Sequence, residues 1–138
     1  MLKYLPIIAL AAGLATQAQA APVDLTGWIE NGHRGNLGAG NWNVSSGSDS
    51  VTQSTNGEPT VFFEPGSNAQ GTSISGTISS SGSDDDFFGF VLGYQSDEFD
   101  SVADFWLVDW KQSDQNFGGR TALDGLSLSH VTGDQSTS

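Results

Sequence analysis

The feature that most limits what this chain can become is a stretch of about thirty residues from Ser83 to Gln112. It holds two apolar runs of strand length, Phe87 to Gln95 and Asp104 to Lys111, joined by a polar link containing Ser96, Asp97, Asp100 and Ser101. Two such runs around a turn-rich link predict a hairpin. Three carboxylates, Asp84, Asp85 and Asp86, stand directly before it, so the hairpin is expected to have an anionic mouth. In the first run Phe88, Phe90, Leu92 and Tyr94 alternate with Phe87, Gly89, Val91 and Gly93. In the second, Trp106, Val108 and Trp110 alternate with Phe105, Leu107 and Asp109. Successive strand side chains point to opposite faces, so both runs predict central strands covered on two sides. Glycine weakens a strand, and Gly89 and Gly93 on one face predict a backbone, ring or loop lying close against that surface.

The rest of the chain supports an all-β fold. Eighteen glycines and short apolar runs between turn clusters leave almost no helical signal. Strands are predicted near Gly27 to Ile29, Asn41 to Val44, Ser50 to Ser54, Thr60 to Phe63, Ser73 to Ser79, Phe87 to Gln95, Asp104 to Lys111 and Leu126 to Val131. That spacing predicts a β-sandwich or jelly roll. Asn31-Gly32 and Asn56-Gly57 read as turns. Residues 113–124 read as a mobile polar loop, and residues 132–138, without an apolar anchor, are expected to fray. Trp28, Trp42, Phe62 and Phe63 are candidates either for core filling, the bland reading, or for stacking on sugar rings.

Residues 1–20 have the layout of a secretory signal peptide: Lys3, an apolar run from Leu5 to Leu14, and Ala18-Gln19-Ala20 as cleavage site. The apolar run is shorter than the roughly 20 residues that span a bilayer. Residues 21–138 then suffice for one small domain with one core. Sixteen acidic residues against four basic ones give a net charge of −12, and loss of Lys3 makes it one unit more negative. Such a balance argues against nucleic acid and anionic membranes, which need clustered cations. It favours solubility, halotolerance or bound cations. No cysteine is present, so disulfides and thiol chemistry are excluded and another stabiliser is expected.

Two segments carry a family resemblance. Asp84-Asp85-Asp86-Phe87-Phe88-Gly89-Phe90-Val91-Leu92-Gly93-Tyr94-Gln95 and Phe105-Trp106-Leu107-Val108-Asp109-Trp110-Lys111-Gln112 resemble the DDD-x-x-GFVFGYQ and FYVVMWKQ hairpin of the thrombospondin C-terminal domain. The resemblance suggests the type found in bacterial secreted proteins with this domain, many of which end in a PEP-CTERM sorting tail. The resemblance implies a lectin-like, concanavalin-like jelly-roll sandwich. It also implies that residues 21–138 match only the N-terminal portion of such a domain, so the chain is expected to be either a fragment whose remaining strands are missing or a reduced sandwich that closes its sheets another way.

Three adjacent carboxylates repel one another, and a hard divalent cation with oxygen ligands removes that cost. Asp84, Asp85 and Asp86 are therefore the candidate Ca²⁺ ligands, with Asp97, Asp100 or Asp104 as candidates to complete the shell. The resemblance points the same way, since thrombospondin C-terminal regions are calcium-rich. A solvated acidic turn is the simpler alternative. Asp109 stands where the family pattern has Met. It is expected to pair with Lys111 or to meet an ion or ligand group, because a buried carboxylate needs a partner.

Enzymatic signatures are weak. Glu30, Glu58, Glu64 and Glu98 stand isolated or beside turns, His33 and His130 have no motif around them, and no nucleophile elbow occurs. The expectation is a secreted, calcium-binding, non-enzymatic module at the cell surface or outside the cell, binding an extracellular glycan or protein surface in adhesion. The alternatives are a polysaccharide-active jelly-roll enzyme and a purely structural surface or matrix protein.

Overall fold

A computed structural model describes residues 21–33, 40–55, 58–68, 70–73, 75–82, 86–117 and 119–135. The signal-peptide segment, the Asn56-Gly57 turn, Ile74, and Asp84 and Asp85 lie outside the described residues. Among the described residues there are nine strands and no helix: β1 (Ile29–Gly32), β2 (Trp42–Val44), β3 (Val51–Gln53), β4 (Thr60–Phe63), β5 (Phe87–Leu92), β6 (Val102–Lys111), β7 (Gln115–Phe117), β8 (Arg120–Ala122) and β9 (Gly125–Asp134). All pair antiparallel, as β1 with β4, β2 with β3, β7 with β8, and a three-stranded sheet in the order β5-β6-β9. The all-β sandwich class expected from the sequence is the one observed.

The hairpin is β5 and β6, with Phe87 opposite Lys111 and Leu92 opposite Trp106. Among the described residues only one of its strands is central. β6 pairs on both sides, whereas β5 forms an edge, contrary to the expectation that both are covered. Two apolar faces on one strand do not fix the number of its neighbours. β5 also ends early, because Gly93 takes φ +85°, a left-handed value that favours glycine. That turn carries Tyr94 off the Phe90 and Leu92 face and into the core. Gly89 meets its expectation: a β-carbon there would stand 2.7 Å from the Asp109 Cα, against the β6 backbone. Gly93 has open space around it, so its role is conformational.

On its inner face the three-stranded sheet contributes Ala103 and Phe105 to the core, flanked by Val91, Leu107 and Val131. Opposite them lie Val61 and Phe63 of β4, with Tyr94 between. Tyr94 is the hub, 5.0 Å from the Phe63 ring and 5.3 Å from each of Phe99 and Phe105. Its hydroxyl donates to the Asn31 side-chain oxygen, so the buried phenol is not left without a partner. Burying such rings contributes about 1.5–3 kcal/mol each, the largest local term in a core this small. On the far side of β4, Phe62 stacks at 5.5 Å on Trp42 and lies 5.9 Å from Trp28. Of these aromatics Phe63 fills the core, while Trp28, Trp42 and Phe62 are half-buried against one another.

Several expected boundaries shift. Asn31 and Gly32 belong to β1 instead of a turn, since both pair with β4. In the segment expected as a strand from Ser73 to Ser79, the described residues form no ladder; Ser75 and Gly76 instead lie beside Phe90, Leu92 and Val108. Serine and glycine alternating with isolated isoleucines offer a strand too little burial to hold it in a sheet. The stretch read as a mobile loop contains the hairpin β7–β8, held by Gln115 to Ala122 and Phe117 to Arg120 pairing. β9 runs on through Asp134, opposite Val102, and Gln135 donates its backbone N–H to Ser101 at 2.8 Å. Backbone pairing with a long central strand anchors residues 132–135 without apolar side chains.

Candidate functional site

The inner face of the β5-β6-β9 sheet changes character half-way along. From Ala103 to Leu107 it is apolar and covered by β4; from Asp109 onward it is polar, with Asp109 and Lys111 both buried. The inward positions of β9 in that half are Ser129, Ser127 and Gly125, opposite Leu107, Asp109 and Lys111. Three small residues in a row leave space that larger side chains would fill. A groove of about 650 Å³ results, lined by Asp109, Lys111, Ser127 and Ser129, by Phe87 on β5, and by Gln115 and the 122–124 turn.

The polar groups are ordered by hydrogen bonds. Ser127 donates its hydroxyl to Asp109 Oδ1 at 2.5 Å, which gives the buried carboxylate a partner. Lys111 Nζ donates to Gln115 Oε1 at 2.9 Å and lies 6.0 Å above the centre of the Phe87 ring. Gln115 in turn donates through Nε2 to Asp86 Oδ1 at 3.0 Å. A continuous path therefore links the groove lysine to the last carboxylate of the acidic triplet. The sequence drew attention to Asp109 and Lys111 as a pair on one face; the structure directs Asp109 to Ser127 and Lys111 to Gln115. Gln115 and the two serines had no sequence signal, because they join the site through the β7–β8 hairpin and the β9 register.

The proposed completion of a calcium shell by Asp97, Asp100 or Asp104 does not hold. Asp86 precedes Phe87 at one end of β5, whereas those three residues follow Leu92 at the other end, roughly 16 Å of strand away. The hairpin thus has acids at both ends and not one anionic mouth. At the far end Asp104 Oδ1 lies 2.8 Å from His130 Nε2, and the His130 ring stacks at 4.6 Å on Trp106. Asp97 instead donates its backbone N–H to Asn31 Oδ1. Among the described residues, no group of three or more acidic or histidine side chains could hold a metal ion. Of the triplet itself, Asp86 is a half-buried carboxylate beside Gln115.

Glu98, passed over in the sequence as an isolated acid, is buried and structural. Its carboxylate accepts the backbone N–H of Gln95 at 2.5 Å and that of Asp104 at 2.9 Å, clamping both ends of the hairpin link.

A family model for the thrombospondin C-terminal region matches residues 38–135, most of the chain. The chain belongs to the thrombospondin C-terminal region family. The match spans β2 to β9 and so includes the hairpin, the groove and the Tyr94 core. Thrombospondin C-terminal regions are non-enzymatic binding and structural modules, extracellular in general. Comparison with curated proteins and with solved structures gives no match. No helix among the described residues is long and apolar enough to cross a membrane.

Proposed function

We propose that this thrombospondin-type module is exported by its residue 1–20 leader, binds Ca²⁺ through Asp84, Asp85 and Asp86, and holds an extracellular glycan or protein surface in the groove beside Lys111. The observation that carries this reading is the path Asp86, Gln115, Lys111. It makes order in the acidic loop and order in the groove a single matter.

Fit to calcium rests on donor chemistry. Asp86 supplies a hard oxygen ligand of the kind Ca²⁺ takes, and two further carboxylates precede it directly in sequence. A bound divalent charge would remove the repulsion between neighbours. Fixing Asp86 then holds Gln115, which holds the Lys111 ammonium over Phe87. In the groove Asp109, Ser127 and Ser129 offer a carboxylate and two hydroxyls to ligand hydroxyls, while Phe87 and Leu107 offer apolar surface. A mostly apolar concavity with a few fixed polar groups suits a sugar or a peptide side chain.

Calorimetric titration of the folded chain with CaCl₂ is the direct test. Stoichiometric uptake, a melting temperature higher in calcium than in EDTA, and loss of that response in Asp85→Ala are expected. Identical melting curves in the two conditions remove calcium from the account. Glycan-array binding that is lost on chelation and in Asp109→Asn would tie the groove to the loop; arrays blank in calcium would leave the groove without a glycan role.

A further inference from the structure

We infer that the groove beside Asp109 takes the side chain of a lysine presented by a partner protein. This rests on the groove being a binding site, as proposed above, and names what enters it. Asp109 is only 8 % exposed, and its Oδ1 accepts the Ser127 hydroxyl. Among the described residues no donor reaches Oδ2, and that atom is not sealed from solvent, so it opens into the groove that Asp109 lines. A carboxylate more than nine-tenths buried with one oxygen unmet is costly until a donor arrives, and a charged donor offsets more of that cost than a hydroxyl does.

Charge and shape together select the ligand. Asp124 stands at the rim, and its backbone N–H donates to Asp114 Oδ1 at 2.8 Å, which brings a second acid to the same turn. Against these acids stands Lys111, whose Nζ is held by Gln115 at the Asp86 end of the groove, over Phe87. Acids therefore outnumber bases around the groove, as they do in the whole chain at a net charge of −12, and the field draws cations. Phe87 and Leu123, 45 and 70 % exposed, give the groove apolar walls. A lysine suits both parts, since its methylene stem covers the walls while its ammonium reaches Oδ2. Because Oδ1 already accepts from Ser127, the two-pronged grip of arginine on a carboxylate is hindered. An ammonium is instead a point charge with three donors, which Oδ2 and the Ser127 and Ser129 oxygens can share. An amino sugar carries its ammonium on a ring of hydroxyls, for which the apolar walls supply no partners.

The experiment is an amide NMR titration of the folded chain with Nα-acetyl-lysine methylamide, in calcium and in EDTA, beside the norleucine and arginine analogues and glucosamine. Shifts centred on residues 107–111 and 122–129 are expected with lysine, at a Kd on the order of 1 mM for a single side chain. The norleucine analogue has the stem without the ammonium and should bind at least tenfold more weakly. Raising NaCl to about 0.5 M, where the Debye length is roughly 4 Å, should weaken lysine binding severalfold. Asp109→Asn is expected to weaken it at least tenfold. Ser129→Leu, which fills the floor from β9, gives the same reading should the first variant fail to fold. Equal binding of the lysine and norleucine analogues overturns the proposal, and so does tighter binding of arginine or glucosamine. Neutral glycans that shift the groove where lysine does not would overturn it while leaving the groove a binding site; silence from every probe would remove both. Lysine binding that is the same in EDTA upholds it and separates the groove from calcium.

Discussion

Tyr94 shows how much of this fold depends on one side chain. Burial pushes its phenol from the ordinary value of 10.0 up to about 12; a backbone hydrogen bond from Phe99 pulls the other way, and the Glu98, Asp97 and Asp100 charges add to the rise. A raised pKa means that the folded state prefers the neutral phenol. The stability tied to this preference is fully present below pH 10 and is lost as pH climbs toward 12. A melting temperature that falls across that window is expected, with a flatter profile in Tyr94→Phe. Tyr94 is the sole tyrosine beyond residue 20, so in the chain from residue 21 the phenolate absorbance follows this group alone. A phenol titrating near 10 while the protein stays folded would contradict the assignment. Glu98 belongs at the same scale. A carboxylate that clamps two backbone N–H groups looks, in sequence, like any acid in a polar link, because its partners are fixed only when the hairpin closes.

Among the elements, β6 does most to organise the molecule, and the approach of β5 to it is set by Gly89. Adding one methyl group there drives a β-carbon into the β6 backbone, where no rotamer change can relieve it. Gly89→Ala is expected to cost on the order of 1–3 kcal/mol, read as a drop of several degrees or more in melting temperature. Gly76→Ala, with nothing within 4 Å of the added carbon, should change it little. The pair of glycines was legible as a signal of close approach, but their roles divide. Gly89 admits a neighbouring strand, and Gly93 turns the chain. The β7–β8 hairpin was not legible, because its short polar strands carry no alternation of apolar and polar residues. The Ser73 to Ser79 segment erred in the opposite direction, since its alternation was present while its described residues form no ladder.

At the scale of the whole molecule, stability should be graded along the sheet order. β6 is hydrogen-bonded on both sides and lies against the Tyr94 core, whereas β7–β8 is a two-stranded unit whose β8 strand is exposed throughout. Hydrogen exchange is expected to be slowest at residues 103–109 and fastest, among the strands, at residues 115–122. Comparable protection in the two regions would mean that the groove wall is as firmly built as the core. That would weaken the idea that calcium has order left to supply there.

The all-β class, the hairpin, the facing of its side chains as far as Leu92 and its family likeness all follow from the order of residues, because strand alternation and turn chemistry are local properties of the chain. Burial is not local. The same β6 face is core at Phe105 and groove at Asp109, because β4 covers the first half and Ser127, Ser129 and Gly125 stand opposite the second. Only the packed fold decides that, since whether a strand face is covered depends on what lies across from it in space.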